Sequence, residues 1–153
     1  MHQAEALADL LRRVNVDRII SSPSTRAIQS IAPLAERLSL GVETDERLSE
    51  RILSAHPHPD WRNLLRNTFV NLNLSYEGGE SSQTAMDRAV SVVDDVLSHS
   101  AQTTVVVSHG CLITLLLKHF DQRFGFPQWA AMTSPDVYRV TNIGGSQVER
   151  IWR

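Results

Sequence analysis

The stretch Thr103-Thr104-Val105-Val106-Val107-Ser108-His109-Gly110 constrains this chain more than any other. A β-branched run closes on Ser108-His109-Gly110, and an apolar helical segment, Cys111 to Phe120, follows at once. A histidine at the C-terminal end of such a strand stands in the crevice where open α/β sheets bind ligands. The following helix offers free backbone N–H groups and the positive end of its dipole, which favour an anion. His109 equally suits a satisfied histidine in a strand-to-helix turn, and the spacing leaves both readings open.

A second stretch, Asp17 to Ser30, also reads as a short strand running into a helix. Arg26 falls in the first helical turn, where a cation opposes the helix dipole and costs stability unless an anion lies nearby. An arginine fork matches phosphate oxygens in a bidentate way. A solvated surface arginine is the alternative.

A length of 153 residues suits one domain with a real core. The hydrophobic share of 42% and charged share of 21% are those of an ordinary globular chain. A formal net charge of −2 gives no reason to expect nucleic acid. Cys111, the single cysteine, excludes an internal disulfide and a multi-cysteine zinc site, and its apolar setting suggests a buried, inert thiol. The longest apolar run is far too short for a membrane span, and Glu5 and Asp9 interrupt any signal-peptide core. These features predict a cytoplasmic protein without membrane contact.

Helical periodicity marks residues 2–14, 27–38, 82–97 and 110–120, and a further helix is expected at 60–70. Pro33 is expected to kink or restart the second of these. Strands are predicted at 17–21, 41–44, 103–108 and 137–141, with 147–152 pairing back as a hairpin through the Asn142–Gly145 turn. Residues 51–80 show no clean periodicity and read as an irregular excursion carrying one helix. Helices alternating with strands mean a layered α/β fold with a largely parallel sheet.

His56-Pro57-His58-Pro59-Asp60 has the His-x-His-x-Asp spacing that opens the zinc site of metallo-β-lactamase-like hydrolases, but Trp61 stands where another histidine should follow. The expectation is a solvated loop and no metal. Gly78-Gly79-Glu80-Ser81 reads as a turn and helix cap with Glu80 a weak candidate, Arg88 as a salt-bridged helix residue, and Ser134-Pro135-Asp136 as a turn. Glu50, among Asp45, Glu46, Arg47 and Arg51, reads by itself as an ordinary charged loop residue.

Taken in order, Gln3-Ala4 with Leu7-Ala8, Ser21-Ser22-Pro23 with Arg26-Ala27-x-Gln29, Arg47-Leu48-x-Glu50, Gly78-Gly79-Glu80-Ser81 and Ser108-His109-Gly110 resemble the histidine phosphatase superfamily, the phosphoglycerate-mutase-like group. The resemblance implies a three-layer α/β/α sandwich with a largely parallel sheet. It implies one domain over 1–153 with a lid-like excursion at about 51–80. It implies a phosphomonoester hydrolase acting through a phosphohistidine, without cofactor or metal. Arg26 and His109 would bind the phosphoryl group, and Glu50 would protonate the leaving oxygen. The partner is a small-molecule phosphoester or phosphate, with a homodimer as one option.

The family's opening strand carries Arg-His-Gly, whose histidine is phosphorylated, and no Arg-His-Gly occurs in this sequence. The resemblance therefore places Met1 after that strand, with Met1 read as an internal methionine taken as the start. The absent strand is expected in the middle of the sheet, beside the strands ending at Ser21 and Ser108, leaving the chain marginally stable. The 153-residue chain is expected to be inactive by itself. The alternative function is a catalytically inactive module that binds phosphate or a phosphorylated ligand.

Overall fold

The structure is a computed structural model and describes residues 2–99, 101, 103–141 and 145–152. Its elements alternate as the sequence suggests. Helix α1 (His2–Leu11) leads to strand β1 (Arg18–Ser21), helix α2 (Thr25–Leu38) and strand β2 (Val42–Thr44). Then come helices α3 (Trp61–Val70) and α4 (Ser82–Leu97), strand β3 (Thr104–Val107), helices α5 (Gly110–Phe120) and α6 (Phe126–Ala131), and strands β4 (Tyr138–Thr141) and β5 (Gln147–Arg150).

The parallel sheet has the order β2-β1-β3. Alternation along β1 and β3 sends neighbouring side chains to opposite faces, and helices cover both. Ile19, Val105 and Val107 pack against Leu7, Ala8 and Leu11 of α1 and Ile31, Leu34 and Ala35 of α2. Ile20 and Val106 face the other way, onto Leu48 and Val92 of α4. This is the three-layer arrangement. A further core joins Leu65 and Phe69 of α3, Ala85, Met86 and Ala89 of α4, Leu112 and Leu115 of α5, and Phe126 of α6. No helix among the described residues is long and apolar enough to cross a membrane.

Strand β1 lies at the centre of this sheet: Ile19 pairs with Val42 on one side and with Val105 on the other. The β4–β5 hairpin forms a separate antiparallel ladder, Tyr138 opposite Arg150 and Thr141 opposite Gln147. Its expected turn at 142–145 lies mostly outside the described residues. Pro33 neither ends nor restarts α2, which runs unbroken from Thr25 to Leu38. The carbonyl that loses its N–H partner belongs to Gln29, at an exposed position where water can serve it. Helix α1 stops at Leu11 because Val14 N–H turns back to Leu11 O at 3.0 Å, a tightened last turn.

The excursion at 51–80 is more ordered than its composition suggests. Ala55 N–H donates to Glu77 O at 2.8 Å and Glu80 N–H to Ile52 O at 2.9 Å, so its two ends are laced together. Gly78 and Gly79 make the corner possible. Gly78 has φ +74°, and a β-carbon at Gly79 would lie 2.1 Å from the Leu53 carbonyl oxygen. Gly79→Ala should therefore cost more than about 1 kcal/mol, since the backbone itself must move. Leu34→Ala, at a fully buried position, should cost about 2–5 kcal/mol. Urea unfolding of both variants checks these values.

Candidate functional site

The in-register pairing of β1 with β3 brings Ser21 opposite Val107. Both chains therefore leave the sheet at the same edge. Ser22 N–H continues the ladder to Val107 O at 2.8 Å. One residue further on, the fully buried Ser22 places its Oγ 2.9 Å from Nε2 of His109. The two stretches singled out in the sequence thus meet through a side-chain hydrogen bond. His109 occupies the N-cap position of α5.

Arg26 lies one residue inside α2, whose N-cap Ser24 accepts a hydrogen bond from Ala27 N–H at 3.2 Å. It is exposed and makes no hydrogen bond or ion pair with any described residue. The structure therefore brings Arg26 to the same sheet edge as His109 without fixing its guanidinium.

Glu50 is held tightly. Its Oε1 accepts from Arg51 N–H at 2.9 Å and Leu112 N–H at 2.8 Å, and its Oε2 accepts from Cys111 N–H at 3.0 Å. The carboxylate sits on the N-terminus of α5, where the dipole favours negative charge. The anion-favouring helix end expected from the sequence is real, and an internal carboxylate already occupies two of its donors.

Two arginines fix the loop that carries Glu50. Arg88 Nη1 donates to Arg47 O and to Ser49 O, both at 2.7 Å, while its Nη2 pairs with Glu80 at 2.6 Å. Burial works to raise the Glu80 carboxyl, but the Arg88 guanidinium, the Ile52 N–H and the Arg51 charge together outweigh it and leave the group below its ordinary range. Arg51 is buried and donates to Thr68 Oγ1, Ser82 Oγ and Glu80 O at 3.1, 2.8 and 2.6 Å. Desolvation pulls its guanidinium below the usual arginine value. Ser108 Oγ closes the arrangement from β3 by donating to Leu48 O at 2.6 Å. Glu80 and Arg88 are thus structural partners, as the sequence suggested for Arg88. The sequence carried no signal for burial of Arg51.

A wall flanks the start of α5. A β-carbon at Gly110 would touch Trp129 Nε1 at 3.6 Å and Met132 Sδ at 3.7 Å. The residues around α6 had no sequence reading. His56 and His58 are exposed, and among the described residues no three His, Cys, Asp or Glu side chains are arranged to hold a metal ion.

The fold that carries this site is shared with known proteins. The profile of the histidine phosphatase superfamily (branch 1) matches residues 1–146. The chain belongs to that superfamily. It is 30% identical over 120 residues to phosphoserine phosphatase 1 of Hydrogenobacter thermophilus, an alignment covering 70% of this chain and 55% of that protein. The chain thus spans about half the length of this relative. Among solved structures, a mycobacterial glucosyl-3-phosphoglycerate phosphatase with inorganic phosphate superposes with TM-score 0.73 at 22% identity, over 99% of this chain and 83% of the other. Bacillus stearothermophilus YhfR gives TM-score 0.75 at 21% identity, over 97% and 79%. At these identities the structural likeness establishes the phosphoglycerate-mutase-like fold.

Cys111 supplies a pH prediction. Burial, and then the Glu50 carboxylate beside it, push its thiol from an ordinary value of 9.0 up to about 12. Between those values the unfolded chain loses the proton and the folded chain keeps it, so stability must fall as pH rises. Unfolding free energy measured from pH 8 to pH 11 should decline above about pH 9. Cys111→Ala should flatten that decline.

Proposed function

We propose that this site binds the phosphoryl group of a phosphomonoester and serves phosphomonoester hydrolysis. The observation that carries the reading is the 2.9 Å contact between Ser22 and His109. It joins both phosphate-binding stretches at the edge where α2 and α5 begin. The phosphatase relatives support the same chemistry. In this proposal His109 and Arg26 neutralise the phosphoryl oxygens by charge-assisted hydrogen bonds. Phosphate oxygens arriving at the Cys111 and Leu112 N–H groups displace the Glu50 carboxylate from its cap. The nearby negative charge then favours its protonated form, which delivers a proton to the leaving oxygen.

The full reaction in the resemblance needs a histidine acceptor. Its nitrogen attacks phosphorus as the ester P–O bond breaks, and water later releases phosphate from the phosphohistidine. No Arg-His-Gly supplies that nucleophile within these 153 residues. The Ser22–His109 contact equally serves a second reading, a phosphate-binding module without turnover.

Isothermal titration with inorganic phosphate tests the shared part of both readings. Binding should be measurable, and His109→Ala and Arg26→Ala should each weaken it by about tenfold, the loss of one charge-assisted contact. Hydrolysis of p-nitrophenyl phosphate by the 153-residue chain should not exceed that of its His109→Ala variant. Clear turnover without added metal would show that the nucleophile lies elsewhere in this chain.

A further inference from the structure

We propose that this site selects phosphomonoesters of apolar, ring-bearing alcohols, with Trp61 and Arg62 holding the alcohol part. The inference rests on the phosphate-binding reading above and adds the substrate class. Helix α6 sets Trp129 against Gly110, the first residue of α5 and the neighbour of His109. Trp61, at the start of α3, meets Trp129 edge-to-face with ring centroids 6.1 Å apart. The Arg62 guanidinium lies over the Trp129 ring at 5.7 Å and over the Phe126 ring at 5.3 Å. With the Arg66 guanidinium also over the Phe126 ring at 4.7 Å, these groups form a cluster of rings and two cations beside the N-terminus of α5.

Part of that cluster is open. Phe126 is buried, whereas Trp61 keeps 46% of its surface exposed. An exposed tryptophan among fixed aromatic neighbours is a preorganised stacking surface, since little side-chain freedom remains to be lost on binding. Arg62 has no carboxylate partner among the described residues, so its charge stays available for a cation–π contact with a ligand ring. A phosphate at His109 and Arg26 directs the alcohol part of its ester outward. A small polar alcohol would leave the Trp61 face wet, whereas a flat apolar one would cover it and gain the stacking energy.

Calorimetric titration of the 153-residue chain with naphthyl phosphate, phosphoserine, inorganic phosphate and naphthol tests this without requiring turnover. Naphthyl phosphate should bind about tenfold more tightly than phosphate or phosphoserine, as expected for about 1.4 kcal/mol of stacking and burial. Trp61→Ala, at a half-exposed position that the fold can spare, should reduce that advantage to less than about threefold and leave phosphate affinity unchanged. Arg62→Gln should remove part of it. His109→Ala should weaken phosphate and naphthyl phosphate together.

Equal affinities for naphthyl phosphate and phosphoserine would overturn the proposal, as would an advantage that survives Trp61→Ala. Naphthyl phosphate binding that matches naphthol and ignores His109→Ala would place the ring surface apart from the phosphate site, and also overturn it. Failure of the wild-type chain to bind any phosphate compound would instead remove the site reading beneath it.

Discussion

The parallel ladder between β1 and β3 is the constraint on which the site depends. It is in register, Arg18 opposite Thr104 through Ser21 opposite Val107. Parallel strands end on the same side, so the loops after them share one edge and the helices that follow begin together. Ser22 and His109, 87 residues apart in sequence, become hydrogen-bonded neighbours as a consequence. Parallel pairing needs a long crossover, here α2 through α4, and those helices build the two apolar layers that hold the sheet. Slipping the register by one residue would turn Ile19 away from α1 and α2 and present Ile20 to them instead.

Polar staples complete what the apolar core begins. The loop carrying Glu50 has little side-chain burial of its own, Leu48 being its fully buried anchor. Arg88 and Arg51 reach in from α4 and from the loop itself and take up its carbonyls and those of the neighbouring corner. Burying a guanidinium is costly unless its donors are satisfied. Arg51 meets that condition for both terminal nitrogens, while its Nε is buried without a partner among the described residues. The result is a carboxylate held to the N-terminus of α5 by two backbone donors, with the N–H of Arg51 as a third from its own loop. Glu50 is at once a helix cap and a candidate proton donor, and phosphate and carboxylate compete for the same N–H groups.

Much of the fold was legible because local periodicity and burial agree along this chain. The strand before His109, the amphipathic α2 and α4 and the β4–β5 hairpin follow from local patterns of apolar residues, although Leu97 of α4 and Val140 of β4 stay exposed. The misreadings have physical causes. Pro33 was read by its local rule, but an exposed Gln29 carbonyl makes the lost bond cheap. Helix α1 was read to residue 14, but Val14 N–H turns back to Leu11 O and the helix ends at Leu11. In the site, His109 and Arg26 could be named from their positions after a strand and in a first helical turn. Arg51 and Trp129 could not, since nothing local distinguishes a buried arginine from a solvated one or a wall tryptophan from a core one.

By itself the sequence determined which residues sit at strand ends and helix starts, because backbone preference and apolar spacing are local properties. It also placed the chain in its superfamily, through short segments in a fixed order. Only the tertiary structure decided that Ser22 is the partner of His109, that Glu50 lies on the end of α5, and that Trp129 stands over Gly110. Each of these contacts joins residues far apart in the chain. Each depends on the register of β1 against β3 and on the packing of α3, α4, α5 and α6 around one core, and these are set by all the buried side chains together.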